Sequence, residues 1–440
     1  MSVLNLTKYR KNISETSTVQ MKGRVTELIG LVARAVVPNV KVGELCFIHP
    51  SDGREPLRAE VVGFQGHEVL LMPLGGLDGI SPGSEVVPTG DCLKVKVGPE
   101  LLGRILDGLG DPIDTDEKGA LVCGESYPVH QEPPDPLKRK RVTEPISVGV
   151  KSIDGLLTVG EGQRIGIFAA AGVGKSTLMG MVARNSDADV NVIGLVGERG
   201  REVRDFIEQD LREEGLKRSV VIVATSDQPS LVRAKAAYVT TAIAEYFRDQ
   251  GKKVCLMMDS VTRFARALRE IGLAVGEPPA RQGFTPSVFS TLPRLLERTG
   301  NSDKGSITAF YTVLVSGDDM NEPVADETRA ILDGHIILSR DLAARSHYPA
   351  IDISESISRV MDNIVTPEHR ESSRKLREVV AAYEKERDLI LIGAYEAGTD
   401  PRVDYALEKI EEVNAFLKQG IDESVGFEET ITQLKEIFGS

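Results

Sequence analysis

The chain has 440 residues and a formal net charge of -13 at pH 7, with 41% apolar and 27% charged residues. This length exceeds what one hydrophobic core usually serves, so it predicts two or three domains and excludes a small peptide-like module. The acidic balance and the lack of Trp argue against nucleic acid as a partner, because a polyanion would be repelled and few rings are available for base stacking.

Cysteine placement and hydropathy bear on the compartment. Cys46, Cys92, Cys123 and Cys255 are scattered and form no CxxC pair, which favours a reducing cytosol over a disulfide framework or a cysteine metal site. The amino terminus lacks the apolar core of a signal peptide, and no apolar run reaches about 18 residues. We therefore expect a cytoplasmic protein.

The first 20 residues are polar, and we expect residues 1–20 to form a solvated arm. Its basic cluster of Lys8, Arg10 and Lys11 is too small for more than a weak attraction to acidic lipid. Six short β-like runs with Gly and Pro between them follow, and they predict a small β-barrel or sandwich over residues 21–92. These runs are MKGRVTEL, LVARAVV, ELCFIHP, RAEVVGF, HEVLLMPL and SEVVPTG.

A connector and an α/β domain come next, and we place the domain at residues 93–360. The stretch EPPDPLKRKRVTEP reads as exposed, and its KRKR run as a solvated linker rather than a polyanion site. Buried strands then alternate with helical segments, which predicts a largely parallel sheet with helices on both faces. The predicted strands are RIGIFAA, VNVIGLVG, SVVIVATS, KVCLMMD, SITAFYTVLVS and HIILS.

The last part of the chain has a helical pattern, and we expect residues 361–440 to form a small helical domain. Three segments carry this pattern: HRESSRKLREVVAAYEKERDLI, DYALEKIEEVNAFLKQG and FEETITQLKEIF.

The segment AAAGVGKST, residues 169–177, has the spacing and context of a phosphate loop, because it follows a strand and opens a helix. Glycines let successive N–H groups face phosphate oxygens, Lys175 reaches the β- and γ-phosphates, and Ser176 supplies a hydroxyl to Mg²⁺. The predicted nucleotide-binding residues of this loop are Gly172, Val173, Gly174, Lys175, Ser176 and Thr177.

Two other strand ends offer the remaining groups that nucleotide hydrolysis needs. Asp259 closes the strand KVCLMMD, and we predict that it organises Mg²⁺. Glu198 and Arg199 end the strand VNVIGLVG; we assign Glu198 as the general base and Arg199 as a charge-neutralising catalytic residue. Glu202 either holds a magnesium-bound water or is a solvated helix charge, and spacing alone leaves both open.

Together these motifs resemble the type III protein-export ATPases, homologues of the catalytic subunits of rotary ATP synthases. The resemblance runs from about residue 21 to the end, and within the family it favours the flagellar branch. Ala169, at the first position of the loop, departs from the synthase pattern. The sequence of residues 277–289, EPPARQGFTPSVF, differs from the commoner version in the family. The motifs are AGVGKST, VGERGREVRDFIEQDL, LMMDSVTRFARALREIGLAVGEPP, PSVFSTLPRLLERTG, GDDMNEPVAD and HYPAIDISESISRVM.

The resemblance implies an α/β P-loop NTPase core of the RecA-like type, with an N-terminal β-barrel and a C-terminal helical domain. It implies ATP and Mg²⁺ as ligands, Tyr348 as the ring that stacks on adenine, and Arg359 as an arginine finger that crosses a subunit interface. Because one chain carries both Glu198 and Arg359, a homohexamer with its sites between neighbours is expected.

Partners are implied by the resemblance alone. They are a stator-like regulator, a stalk protein, export chaperones and a membrane export gate, with the protein at the cytoplasmic face of the inner membrane. Four alternative functions stay open: the ATPase of a virulence injectisome, a rotary synthase subunit, a hexameric RNA translocase, and a nucleotide-binding scaffold that does not hydrolyse. The acidic balance disfavours the translocase, and Glu198 with Arg359 disfavours the scaffold.

Overall fold

Six antiparallel strands close a barrel in the computed structural model, which describes residues 21–315, 317 and 319–439. The predicted arm, with Lys8, Arg10 and Lys11, lies outside the described residues. Two compact units are present: one ends at Leu93 and includes Ala274–Glu277, and the other contains the rest of the chain from Lys94.

The barrel strands follow the order β1-β2-β5-β4-β3-β6. β1 and β3 largely alternate buried residues with more exposed ones, and buried side chains of the barrel, such as Val25, Ile48 and Leu71, form a separate core. The prediction of an N-terminal β-barrel is confirmed, and closure removes the free edges that a sandwich would retain. The strands are β1 (Gly23–Ile29), β2 (Val32–Val36), β3 (Glu44–His49), β4 (Leu57–Gln65), β5 (Glu68–Pro73) and β6 (Glu85–Cys92).

The second unit contains a large sheet with the order β17-β16-β10-β15-β13-β11-β12-β8. All neighbours on this path are parallel except β16 and β17, and β11 is buried along its whole length. The predicted largely parallel sheet is confirmed. Its strands are β8 (Ile105–Asp107), β10 (Arg164–Ala169), β11 (Val190–Glu198), β12 (Ser219–Thr225), β13 (Lys253–Asp259), β15 (Ser306–Leu314), β16 (Gly334–Leu338) and β17 (Ile351–Ser358). A short strand, β14 (Gly300–Asn301), pairs with β15 off this path. A separate two-stranded sheet is formed by β7 (Lys94–Val97) and β9 (Glu125–Pro128).

Helices pack on this sheet, and the longest of those before the C-terminal region, Ser230–Asp249, is mostly buried and contacts β11, β12 and β13. A π-helical turn, Phe206–Leu211, separates α4 from α5. The helices before the C-terminal region are α1 (Thr115–Lys118), α2 (Lys151–Leu156), α3 (Lys175–Asn185), α4 (Gly200–Asp205), α5 (Arg212–Lys217), α6 (Ser230–Asp249), α7 (Val261–Ala274), α8 (Pro286–Leu296), α9 (Pro323–Ile331), α10 (Arg340–Ala344) and α11 (Met361–Ile364).

The C-terminal region is helical, as predicted. It consists of α12 (Pro367–Leu391), α13 (Pro401–Leu417) and α14 (Phe427–Ile437). Apolar side chains of these helices, among them Leu376, Phe416 and Leu434, belong to the same hydrophobic cluster as residues of the sheet. The second compact unit therefore runs through residue 360, and the domain boundary placed there stays a prediction.

The expectation of a fully solvated KRKR run is wrong for Arg139. Its guanidinium donates to the carbonyl oxygen of Thr299 at 2.7 Å and to that of Glu297, and its side chain is only 19% exposed. These carbonyls follow the end of α8, where unpaired acceptors and the helix dipole attract a cation. Lys138, Lys140 and Arg141 are exposed as expected.

Within the described residues, no helix is both long enough and apolar enough to span a bilayer.

A buried ion pair in the second unit gives a stability prediction. Arg298 and Glu245 are fully buried and form two hydrogen bonds, of 2.9 and 2.6 Å. Removing one partner leaves a buried charge without its counter-ion, so we expect Glu245→Ala to lower the free energy of unfolding by about 3–5 kcal/mol. Urea unfolding followed by circular dichroism measures this loss.

Glu213→Gln is the matched control, because Glu213 pairs with Lys217 on an exposed helix face. Its effect should stay below about 0.5 kcal/mol. Equal losses in the two variants would contradict the importance of the buried pair.

Candidate functional site

Three strands of the large sheet bring the predicted site residues to one edge. β10 leads into the phosphate loop, β11 ends at Glu198 and β13 ends at Asp259. Because β10, β15, β13 and β11 are consecutive parallel neighbours, their carboxyl ends lie side by side. Ligands of open α/β sheets bind at such an edge.

The phosphate loop has the backbone that the glycines predict. Gly172 and Gly174 have φ values of 83° and 90°, in the left-handed region that side chains disfavour. A Cβ atom at Gly172 would meet nothing within 4 Å, so the loop borders open space. α3 begins directly after Gly174, and its unpaired N–H groups and positive dipole end therefore favour an anion at this place.

Lys175 lies between two buried carboxylates. Its Nζ is 2.5 Å from Oδ1 of Asp259 and 3.8 Å from Oε1 of Glu198. The hydroxyl of Thr312 on β15 also donates to Oδ1 of Asp259, at 2.7 Å. The lysine and the threonine thus fix the orientation of the Asp259 carboxylate.

Glu198 has the protonation behaviour of a base that works near neutral pH. Burial, followed by the negative charge of Asp259, raises the pKa of Glu198 to about 7, against the lowering effect of Lys175 and Arg263. Its buried Oε1 forms no hydrogen bond with the described residues, and the cationic groups of Lys175 and Arg263 lie beside it.

Arg263 is a site residue that sequence reasoning missed. Its Nη2 donates to Oε2 of Glu198 at 3.1 Å, and its Nε lies 3.1 Å from Oε1. The residue lies in the first turn of α7, four positions after Asp259. The available signal was a basic residue one helical turn beyond a strand-ending aspartate.

A cavity of about 350 Å³ joins most of the predicted residues. Arg263, Phe206 and Leu314 are among the other residues that line it. The predicted residues that line it are Gly172, Gly174, Lys175, Ser176, Thr177, Glu198, Arg199, Glu202 and Asp259. The structure therefore brings nine sequence-predicted residues around one space, although their individual roles stay predictions.

Arg199 and Glu202 lie at the mouth of this cavity. The Arg199 side chain is 76% exposed, and its Nη1 is 3.4 Å from Oε1 of Glu202. Such an exposed pair contributes little to stability, so both side chains can turn towards a ligand at low cost.

The oxygen donors of the site suit Mg²⁺. The Ser176 hydroxyl and the carboxylates of Asp259 and Glu202 line the same cavity, and these are the hard ligands that this ion prefers. Within the described residues, no cluster of three or more His, Cys, Asp or Glu side chains is placed to hold a metal ion alone. The site therefore fits an ion that takes its remaining ligands from phosphate and water.

A second cavity, of about 440 Å³, adjoins the first along the loop and has mostly apolar walls. Gly172, Gly174 and Thr177 line both cavities, whereas Val173 and Tyr348 line only this one. A Cβ atom at Gly174 would lie 3.6 Å from the Tyr348 ring. The ring thus stands beside the loop, in a position suited to stacking on a flat base.

Gln419, Gly420 and Ile421 also line this second cavity. They belong to the segment between α13 and α14, and sequence reasoning missed them. No motif marks the segment, and only the folding of the C-terminal helices onto the sheet brings it there.

Arg359 is not brought to either cavity. It directly follows β17, and its Nη2 donates to the carbonyl oxygen of Arg329 at 3.3 Å. Within one chain, the predicted finger and the predicted base are therefore separate.

Family models cover most of the chain. The beta-barrel domain of the ATP synthase alpha/beta family matches residues 25–90, and the nucleotide-binding domain of that family matches residues 149–358. The T3SS EscN ATPase C-terminal domain matches residues 365–436.

Curated relatives match nearly end to end. The flagellum-specific ATP synthase of Bacillus subtilis (strain 168) is 54% identical over 431 residues, which are 97% of this chain and 98% of that protein. The type 3 secretion system ATPase of Xanthomonas euvesicatoria is 53% identical over 415 residues, which are 94% and 93% of the two chains. The chain belongs to the type III secretion ATPase family.

Solved structures of this family agree with the fold. The assembled ATPase EscN from the enteropathogenic E. coli type III secretion system has 47% sequence identity and a TM-score of 0.88, over 94% of this chain and 99% of that one. The predicted family and an ATP-hydrolysing enzyme of the ATP synthase-like class are thereby confirmed.

The second cavity predicts a base-stacking role for Tyr348. Stacking on a base is worth about 1–3 kcal/mol, so Tyr348→Ala should weaken ADP binding by roughly 5- to 150-fold, and Tyr348→Phe by less than about twofold. Titration calorimetry with ADP measures both affinities.

Tyr405→Ala is the matched control, because Tyr405 is 42% exposed, close to the 44% of Tyr348, but lies on α13 away from both cavities. We expect it to leave ADP binding unchanged. An equal loss in Tyr348→Ala and Tyr405→Ala would exclude the stacking role.

Proposed function

We propose that the chain is the ATPase of a flagellar type III export apparatus and that it hydrolyses ATP with Mg²⁺ at the subunit interfaces of a homohexamer. One observation carries the hydrolytic part of this proposal: Glu198, with its pKa raised to about 7, lies within 3.8 Å of Lys175 in the cavity that the phosphate loop borders. The subunit interface and the flagellar setting are supported by the place of Arg359 and by the flagellar relative. A base beside a phosphate-binding lysine is what hydrolysis of a phosphoanhydride requires.

Binding of the triphosphate begins at the loop. The N–H groups from Gly172 to Ser176 and the amino end of α3 receive the phosphate oxygens. Lys175 exchanges its contact with Asp259 for the β- and γ-phosphates, while Tyr348 stacks on adenine. Lining side chains keep the bound γ-phosphate within reach of Glu198.

In the hydrolytic step, Glu198 takes a proton from a water molecule as the water oxygen attacks the γ-phosphorus in line. The bond from the γ-phosphorus to the bridging oxygen breaks, and that oxygen leaves with the electron pair as part of ADP. Lys175, Arg199 and the neighbouring subunit's Arg359 neutralise the developing charge. No covalent enzyme intermediate forms.

Three residues would hold Mg²⁺: Ser176 through its hydroxyl, and Asp259 and Glu202 through their carboxylates, directly or by way of water. When bound, the ion supplies positive charge to the β- and γ-phosphate oxygens.

Assembly is required to complete the site. Arg359 lies outside the cavity of its own chain, yet it directly follows the edge strand β17, where a neighbouring subunit can be reached. A head-to-tail interface that closes into a ring places each arginine at the next subunit's cavity. The E. coli relative was solved as an assembled ATPase and in complex with its central stalk, which supports both a ring and a stalk partner here.

In the export apparatus, the hydrolytic cycle releases substrates from their chaperones and feeds them to the membrane export gate. The C-terminal helices face the substrate or the stalk, and the amino-terminal arm faces a stator-like regulator. The protein then works in the cytoplasm, at the inner face of the membrane. The names of the flagellar and secretion relatives support this assignment.

A virulence injectisome is the second candidate setting. It is favoured by the secretion ATPase of Xanthomonas euvesicatoria, whose 53% identity nearly equals the 54% of the flagellar relative. The ATP chemistry is the same in either setting. Sequencing of the neighbouring genes distinguishes the two, because flagellar and injectisome components are encoded by different sets.

The shared site predicts that specific ATPase activity rises with protein concentration, since dilution separates the arginine from the cavity. We expect Glu198→Gln to lower turnover by about 10²- to 10⁴-fold and Arg359→Ala by about 10³- to 10⁵-fold. Steady-state ATP hydrolysis over a concentration series measures all three effects.

Arg374→Ala controls for the loss of an arginine, because Arg374 pairs with Glu371 on an exposed face of α12. It should retain wild-type turnover. Activity that is independent of concentration, with a harmless Arg359→Ala, would sink the shared-site mechanism.

The raised pKa of Glu198 predicts a pH dependence. Glu198 must be unprotonated to accept a proton, so kcat/KM should fall as the pH drops through about 7. The charge of Arg263 lowers the pKa of Glu198, so Arg263→Gln should move the midpoint of this fall to higher pH. A pH series of kcat/KM measures the midpoint.

Arg204→Gln provides the comparison, because Arg204 pairs with Glu208 and is well exposed. Its midpoint should match the wild type. If Arg263→Gln left the midpoint unchanged or lowered it, Glu198 would not be the titrating base.

A further inference from the structure

A buried amide, that of Gln419, is one of the groups that attach the segment between α13 and α14 to the nucleotide-binding core. Gln419 is 6% exposed and lines the cavity that also holds Tyr348. Most glutamines remain at the surface, and a buried one requires partners for its oxygen and both its hydrogens. Gln419 has all of them.

The hydrogen bonds of this amide reach two parts of the fold. Oε1 accepts from the backbone N–H of Lys151 at 2.8 Å, and Nε2 donates to the carbonyl oxygen of Gly149 at 2.8 Å. Nε2 also donates to the carbonyl of Glu423 at 2.9 Å. The carboxamide therefore links the start of α2 to the segment that leads into α14.

The backbone of the same residue links the segment to the stacking side of the cavity. The N–H of Gln419 donates to the carbonyl oxygen of Tyr348 at 3.0 Å. Gly420 and Ile421, the next two residues, form part of the wall of the cavity that Tyr348 also lines. The position of this part of the wall relative to Tyr348 therefore depends on where Gln419 is held.

Other contacts hold the far end of the segment but do not reach Tyr348. Arg184 donates to the carbonyl of Ile421 at 2.8 Å, and Lys151 lies 3.4 Å from Glu423. An ion pair between Arg212 and Asp422, of 2.6 Å, is exposed and contributes little. Among the residues named here, Gln419 is the one that is bonded to Tyr348 and also adjoins Gly420.

We propose that Gln419 is a positioning residue for nucleotide recognition: it fixes the wall of Gly420 and Ile421 at the distance from Tyr348 that admits a flat base. This inference rests on the proposed binding of adenine nucleotides in the second cavity. It makes the affinity for the base depend on how the C-terminal helices are docked. The phosphate subsite, which Gln419 does not line, is independent of it.

Gln419→Met tests this role, because methionine keeps the length of the side chain but makes none of the three amide hydrogen bonds. The probes are ADP and inorganic pyrophosphate, which share the phosphates and differ in the base. We expect the Kd of ADP to rise roughly tenfold, while the Kd of pyrophosphate changes by less than about twofold. Titration calorimetry on the full chain with Mg²⁺ measures both constants.

Gln433→Met is the control, since Gln433 lies on α14 and its amide donates to Glu429 at the surface. Both of its constants should equal those of the wild type. An unchanged ADP constant in Gln419→Met would overturn the proposal. So would an equal rise for ADP and pyrophosphate, because that result indicates a general loss of structure.

Gln419→Glu gives an independent readout in case the methionine variant is poorly folded. Its carboxylate oxygen would face the carbonyls of Gly149 and Glu423, which repel it, until protonation restores a donor. ADP affinity relative to wild type should therefore recover as the pH falls, and a constant ratio would overturn the proposal. If the wild type itself binds ADP no better than pyrophosphate, the proposed function fails before the role of Gln419 is reached.

Discussion

One lysine shared by two buried carboxylates is the arrangement on which the site depends. Lys175 opens α3, Glu198 ends β11 and Asp259 ends β13, and all three meet because these strands run parallel within four adjacent positions of the sheet. A shift of register by one residue would turn a strand-end side chain to the opposite face of the sheet. The pairing of Leu195 with Asp259 sets that register between β11 and β13.

The charges at this edge of the sheet suit the site to binding a ligand. Burying two carboxylates beside one ammonium is unfavourable, and the raised pKa of Glu198 expresses that cost as a proton retained near neutral pH. Arg263 supplies a second cation on the far side of Glu198. In the proposed mechanism, a bound triphosphate draws Lys175 towards itself and leaves the Asp259 carboxylate for Mg²⁺.

Much of the fold was predictable because it follows from local patterns. Continuous apolar runs predicted the central strands, short β-like runs with Gly and Pro between them predicted the barrel, and the glycines and lysine of residues 169–177 predicted the phosphate loop. β17 was not predicted as a strand, because it is an edge strand with the polar sequence DISESIS, several residues of which are exposed. Arg139 was misjudged because its partners, the carbonyls beyond α8, lie far away in sequence.

The same distinction, between local patterns and contacts from distant parts of the chain, applies to the candidate site. Residues that end strands could be named from the sequence, whereas those recruited across the fold could not. The hydrogen bond from the backbone N–H of Lys151 to Gln419 joins residues that are 268 positions apart. No periodic pattern in the sequence singles out either residue. Arg359 is the opposite case, because family resemblance alone singled it out and its proposed partner belongs to another subunit.

The central claim is that each active site takes Glu198 from one subunit and Arg359 from the next, and mixing two inactive variants tests it directly. Purified Glu198→Gln and Arg359→Ala are combined in equal amounts, and ATP hydrolysis is measured after assembly. If subunits mix at random in a head-to-tail ring, up to about a quarter of the interfaces regain both groups, so activity should reappear from two inactive preparations. A mixture as inactive as its parts, under conditions in which the two variants are seen to co-assemble, would contradict the shared site.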